Sequence, residues 1–129
     1  METLRSYKDL VAWQKAVDLV EYVYRLSGTW PQEERFGLVS QIRRAAVSVC
    51  ANIAEGFGRS RKADYLRFLD IAAGSANETE THMVIADRLG FADAEEAERA
   101  IAATQEVQRI IRGLIRSIRN SSRTNIRPK

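Results

Sequence analysis

One cysteine, Cys50, excludes an intramolecular disulfide and any cysteine-based zinc site. One histidine, His82, follows Thr79 by three positions, so the paired Glu-x-x-His motifs of a di-iron helical bundle are missing. Two prolines and seven glycines leave little to interrupt helices. No apolar run approaches the ~18 residues that a membrane span needs. The opening METLRSYKDL has no apolar leader core, and the expected compartment is the cytoplasm. Acidic residues stop at Glu106, whereas Arg109, Arg112, Arg116, Arg119, Arg123, Arg127 and Lys129 follow it. A net charge of +3 therefore hides +7 at one end and −4 on residues 1–106.

What is present is helical periodicity, in a chain of 129 residues read as one domain. Ser6, with Asp9 three positions on, caps a first helix expected at about 8–26, whose apolar line is Leu10, Trp13, Val17, Val20 and Tyr24, with Ala16 and Val23 beside it. Pro31, Glu33 and Glu34 suit the start of a second helix, about 33–57, with core seam Val39, Ile42, Ala46, Val49 and Ile53 and a stop at Gly56-Phe57-Gly58. A third helix, about 63–89, carries Tyr65, Leu69, Ala72, Ala76, Thr79, Met83 and Ala86 on one face. Gly74 and Ser75 inside it suggest close backbone approach. Asp93 caps a fourth helix, about 94–119, with seam Ala97, Ala100, Thr104, Val107, Ile111, Leu114 and Ile118; residues 120–129 read as a basic flexible tail. Short turns between four long helices predict an all-α, antiparallel up-down-up-down four-helix bundle.

The stretch SQIRRAAVSVCANIAEGFG, residues 40–58, is unusual because it is small and apolar nearly all round. Its one polar line is Gln41, Arg44, Ser48, Asn52 and Glu55, and that line must find partners. Ser75, Glu78 and His82 share a face of helix three, which makes Glu78 the expected acidic partner of Arg43 or Arg44. A helix buried on so many sides in so short a chain points to a second copy of the same protein as a neighbour.

An up-and-down course sorts the helix ends into two poles. One gathers Arg5, Lys8, Arg59, Arg61, Lys62, Arg116, Arg119 and the tail residues Arg123, Arg127 and Lys129; the other gathers Glu33, Glu34, Asp87, Asp93, Glu95, Glu96 and Glu98, diluted by Arg35, Arg88 and Arg99. Arg109, Arg112, Arg116 and Arg119 follow a 3-4-3 spacing opposite the apolar seam of helix four. Guanidinium forks match phosphate oxygens in pairs, so this stripe with Arg59, Arg61, Lys62 and Arg123 is a candidate nucleic-acid surface. The plainer reading is a solvated face whose cations suit a helix C-terminus. No aromatic interleaves the stripe, so contact is expected with phosphate rather than stacked bases. Cys50 reads as a packed thiol, and Glu78, Glu80 and His82 as structural polar groups rather than an acid/base set. No catalytic constellation or cofactor motif stands out, and a non-enzymatic protein is expected.

The run Ser40-Gln41-Ile42-Arg43-Arg44-Ala45-Ala46-Val47-Ser48, followed by Ala51-Asn52-Ile53-Ala54-Glu55-Gly56, resembles the signature SQIRRAxxSxxxNIAEG. That signature marks four-helix-bundle proteins encoded in intervening sequences of bacterial 23S ribosomal RNA genes, once labelled S23 ribosomal proteins. Trp13-Gln14-Lys15-Ala16, Pro31 with Glu34, and Ile71-Ala72-Ala73-Gly74-Ser75 with Glu78 extend the likeness over about residues 7–118. Cys50 stands where a proline is common in the family. The resemblance implies a homopentameric ring of four-helix protomers, similar in architecture to the accessory protein of diversity-generating retroelements, which binds nucleic acid and a reverse transcriptase. It implies no established enzymatic activity and does not make the chain a ribosome component. Two functions fit: an oligomer that binds RNA or DNA through helix four and the basic pole, or a scaffold that presents a repeated surface to a protein partner.

Overall fold

The structure, a computed structural model, describes residues 4–121. Arg123, Arg127, Lys129 and the rest of the expected tail beyond Ser121 lie outside the described residues. Four helices form the fold: α1 (Val11–Ser27), α2 (Leu38–Phe57), α3 (Lys62–Arg88) and α4 (Ala94–Arg119). There is no β-strand among the described residues. Helices adjacent in sequence pack side by side, α4 closes against α1, and diagonal pairs stay apart. That arrangement is a four-helix bundle.

Two helix starts differ from the sequence expectation. The Ser6–Asp9 capping box is present, but it closes a short 3-10 turn, Tyr7–Asp9, and α1 begins after it. Helix α2 begins at Leu38 rather than near residue 33. Gln32–Glu34 form a separate 3-10 turn, and Gly37 has non-helical dihedrals, φ −106° and ψ −111°. The Glu34 carboxylate then accepts the Leu38 N–H at 3.2 Å, satisfying one of the free donors of the new helix. Asp93 occupies the N-cap position of α4 without a side-chain cap bond. The α3 end is closed by Gly90 at φ +78°, where the Phe91 N–H reaches the Ala86 carbonyl (2.9 Å) and the Gly90 N–H reaches Asp87 (3.0 Å). This pairing needs a left-handed residue, and glycine adopts it without steric cost.

The core seams of α2 and α3 are buried as the periodicity predicts. In α4, Leu114 is half-buried, while Ile115 and Gln108 join the buried set. Helix α1 is rotated relative to the expected line. Its core face is Ala12, Ala16, Leu19, Val23 and Leu26; Trp13, Val17 and Val20 are half-buried, and Tyr24 is exposed. The helix is apolar over a wide arc, and packing selects the part of that arc with the small residues that allow close approach. Three buried hydroxyls turn back on their own helix: Ser27 to the Val23 carbonyl (2.6 Å), Thr79 to Ser75 (2.8 Å) and Thr104 to Ala100 (2.7 Å).

Close approach occurs at Gly56, not at Gly74. A Cβ on Gly56 would stand 2.9 Å from the Phe68 Cβ and 3.1 Å from the Tyr65 ring, whereas one on Gly74 would meet nothing within 4 Å. Gly56→Ala is therefore expected to destabilise by about 1–3 kcal/mol through overpacking. Gly74→Ala, on an exposed helical face, is expected to stabilise by roughly 0.5–1 kcal/mol. Urea unfolding of the two variants reads both signs.

Candidate nucleic-acid interface

The amphipathic spacing of α4 turns Arg109, Arg112, Arg116 and Arg119 outward, and all four are exposed. Three of them, Arg112, Arg116 and Arg119, line a shallow groove of about 360 Å³ with Asp70, Ala73 and Ile115, between α3 and α4. Asp70 is the one acid lining it. Among the described residues, none of the four arginines forms an ion pair with a carboxylate. Arg116 and Arg119 also sit in the last turn of α4, where the free carbonyls favour positive charge.

The start of α3 joins this end of α4. The Lys62 ammonium donates to the Ser121 carbonyl, so the connection Arg59-Ser60-Arg61-Lys62 stands at the same end of the bundle as Arg119. Its cations are locally paired. Arg59 donates to Glu55 at 2.7 Å and lies over the Phe68 ring at 4.8 Å; Arg61 donates to Asp64 at 3.0 Å. These are exposed pairs of near neighbours, worth about 1 kcal/mol or less each, and a phosphate can displace them.

The polar line of α2 divides into two parts. Ser48 Oγ and Ser75 Oγ are 2.8 Å apart, and the Asn52 amide donates to the Ser48 carbonyl (2.8 Å) and hydroxyl (3.0 Å). That part closes within one chain. Gln41, Arg44 and Glu55 remain exposed, Glu55 with Arg59 as its partner. The expected pairing of Glu78 with Arg43 or Arg44 is absent among the described residues. Arg43 turns instead to the end of α1, donating to Ser27 Oγ (2.9 Å) and to the Tyr24 carbonyl (3.1 Å), which also accepts the Gly28 N–H. Glu78 is exposed, and its carboxylate lies 3.5 Å from His82 Nε2. His82 is buried, and both of its ring nitrogens lack a hydrogen-bond partner.

Glu80 accepts from Gln105 (3.0 Å) and Gln108 (2.8 Å), which ties α3 to α4. The sequence hint was the two glutamines flanking the apolar seam of α4. Burial pushes the Cys50 thiol upward, away from thiolate chemistry, and its Sγ donates to the Val47 carbonyl at 3.3 Å. Among the described residues no group of three or more His, Cys, Asp or Glu side chains is placed to hold a metal ion. No described helix is long and apolar enough to cross a membrane.

Fold and surface together define a four-helix-bundle protein with an arginine-lined groove between its last two helices. The chain belongs to the 23S rRNA-intervening sequence protein family, whose model matches residues 8–113. It is similar to a crystal structure of a protein with unknown function from the S23 ribosomal protein family of Bacteroides thetaiotaomicron. The two are 26% identical with a TM-score of 0.76, covering 81% of this chain and 98% of the other. No curated protein matches the chain.

The hydroxyl pair between α2 and α3 yields a direct test. Ser75→Ala removes one of the two partners of the half-buried Ser48 hydroxyl, leaving Asn52, and is expected to cost about 0.5–1.5 kcal/mol. The double variant Ser48→Ala/Ser75→Ala is expected to cost less than the sum of the single ones, and a double-mutant cycle in urea measures the coupling.

Proposed function

We propose that this protein is a non-enzymatic, oligomeric nucleic-acid-binding protein that contacts phosphates through the α4 stripe. The carrying observation is the exposed line Arg109, Arg112, Arg116 and Arg119, which forms no ion pair among the described residues and three of whose members share one groove. Arg59, Arg61 and Lys62 extend it at the same end of the bundle, and Arg123 belongs to the reading by sequence. Fixed guanidinium groups on a rigid helix release counterions from a polyanion without first breaking internal ion pairs. The ligand is RNA or DNA read by charge and shape, because the groove offers no aromatic side chain for stacking. The neighbouring helices run in opposed directions in this reading, which the pairings Lys15–Glu106 and Lys62–Ser121 support. A cytoplasmic protein is part of the same proposal.

Titration of duplex DNA and structured RNA over a salt series tests it. Replacing the four α4 arginines with Gln is expected to lower the steepness of log K against log salt by about 3 to 4 for duplex DNA, at ~0.9 per phosphate contact. Absence of binding at low salt, or an unchanged slope, contradicts the proposal.

Self-association is its second part. Helix α3 leaves Ile71 42% and Ile85 39% exposed, and Gln41 and Arg44 are exposed polar positions on α2. Exposed apolar side chains suit contact between copies, and a closed ring of protomers satisfies every such face. The same repeated surface serves the scaffold reading, in which the ring receives a protein partner. Light scattering of the purified chain is expected to give a multiple of 14.6 kDa. Ile71→Glu with Ile85→Glu is expected to reduce it to the single-chain mass with unchanged helical content; a native mass of one chain removes this part of the reading.

A further inference from the structure

A second group of cations lies where α1 gives way to α2. It is at the opposite end of α2 from the Arg59–Lys62 connection, roughly 30 Å away along a 20-residue helix rising 1.5 Å per residue. Two hollows meet there and share Arg35, Val39 and Arg43. No carboxylate lines either one.

The first hollow, about 360 Å³, is lined with hydrogen-bond donors. Trp30 is one of its walls, and its indole N–H is buried without a partner. A buried donor left unpaired is unfavourable, so an acceptor that reaches it is favoured. Arg43 is the second donor. Its bonds to Ser27 and Tyr24 fix the guanidinium plane and occupy two of five N–H groups, leaving three for a ligand. Arg35 supplies a further cation, and the nearby Glu34 carboxylate accepts the Leu38 N–H. Donors and positive charge without a competing acid select an oxyanion.

The second hollow, about 490 Å³, is a shelf. Phe36 is 85% exposed, far more than phenylalanine ordinarily is, and Arg35 lies over its ring at 4.9 Å. Tyr24, 44% exposed, carries Arg43 over its ring at 4.4 Å. Aromatic faces and guanidinium planes are the surfaces on which unpaired bases stack.

We propose that the paired hollows bind one nucleotide unit, with its phosphate in the donor-lined cleft and its base on the Phe36 shelf. Arg35 and Arg43 stand on the shared wall and serve both halves. The site is separate from the α4 stripe and does not depend on it. A free nucleotide and a nucleotide at the 5′-phosphorylated end of a single strand share this chemistry.

The test uses the full chain carrying Trp13→Phe, so that Trp30 alone reports by fluorescence. Adenosine 5′-monophosphate is the probe, and adenosine, inorganic phosphate and a short 5′-phosphorylated oligoadenylate are the other arms. The monophosphate is expected to shift Trp30 emission saturably, with adenosine and phosphate each at least roughly tenfold weaker because each fills one hollow. Phe36→Ala and Arg35→Gln, both on exposed residues, are expected to weaken the monophosphate roughly tenfold. Phe36→Tyr retains binding, and Arg116→Gln leaves it unchanged. Competition by the oligonucleotide identifies a strand end as the source, and its failure to compete identifies the free nucleotide. The proposal is overturned by no saturation at millimolar monophosphate, by phosphate alone binding as well, or by full affinity in Phe36→Ala. It is also overturned if Phe36→Ala loses binding together with solution mass, since the ring then belongs to a contact between copies.

Discussion

Helices α2 and α3 lie close enough that a hydroxyl meets a hydroxyl at Ser48 and Ser75 and a glycine meets aromatic side chains at Gly56. That separation is the constraint on which the bundle depends. It is possible because the facing positions are small: Ala45, Ala46, Ala72 and Ala76 are all buried between the larger Ile42, Ile53 and Leu69. Small side chains let backbones approach, and the large ones fill the layers above and below. Moving the helices apart would open voids along the whole pair. The contact is the most extensive between any two helices, and α1 and α4 complete the bundle around it.

The surface divides by which pair of helices builds it. Between α3 and α4 the wall is cationic, through Arg112, Arg116 and Arg119. The outer side of α3 is partly apolar, with Ile71 and Ile85 exposed. Between α1 and α2 it is aromatic and cationic together, through Tyr24, Phe36, Arg35 and Arg43. A bundle offers such separate faces because each groove draws on only two helices, and substitutions in one leave the next intact.

Four helices and most of the core were legible in the sequence because α2, α3 and α4 each carry one apolar stripe. Helix α1 was misread in rotation, since Trp13, Val17, Val20 and Tyr24 compete with Ala16, Leu19 and Val23 for the core and only packing decides. The start of α2 was misplaced because Glu33 and Glu34 suit any helix start, whereas Gly37 determines the break. The stripe on α4 followed from spacing alone. The Arg43 contact with α1 and the Phe36 shelf depend on how a turn folds back, and no periodicity encodes that. Of Gly74 and Ser75, read as a point of close approach, only Ser75 meets α2, whereas Gly56, read as a helix stop, is where α3 crosses closest.

The buried hydroxyls of Ser27, Thr79 and Thr104 have a consequence for the order of assembly. Each donates to a carbonyl four residues back on its own helix, so it is satisfied as soon as that helix forms. Docking then brings together surfaces whose polar groups are already closed, and no hydroxyl must shed water while it waits for a partner from another helix. Desolvation and recognition become separate steps. Bonds that do cross between helices, such as Ser48–Ser75, Arg43 to Ser27 and Tyr24, and Gln105 and Gln108 to Glu80, can form last and lock the register that packing has chosen.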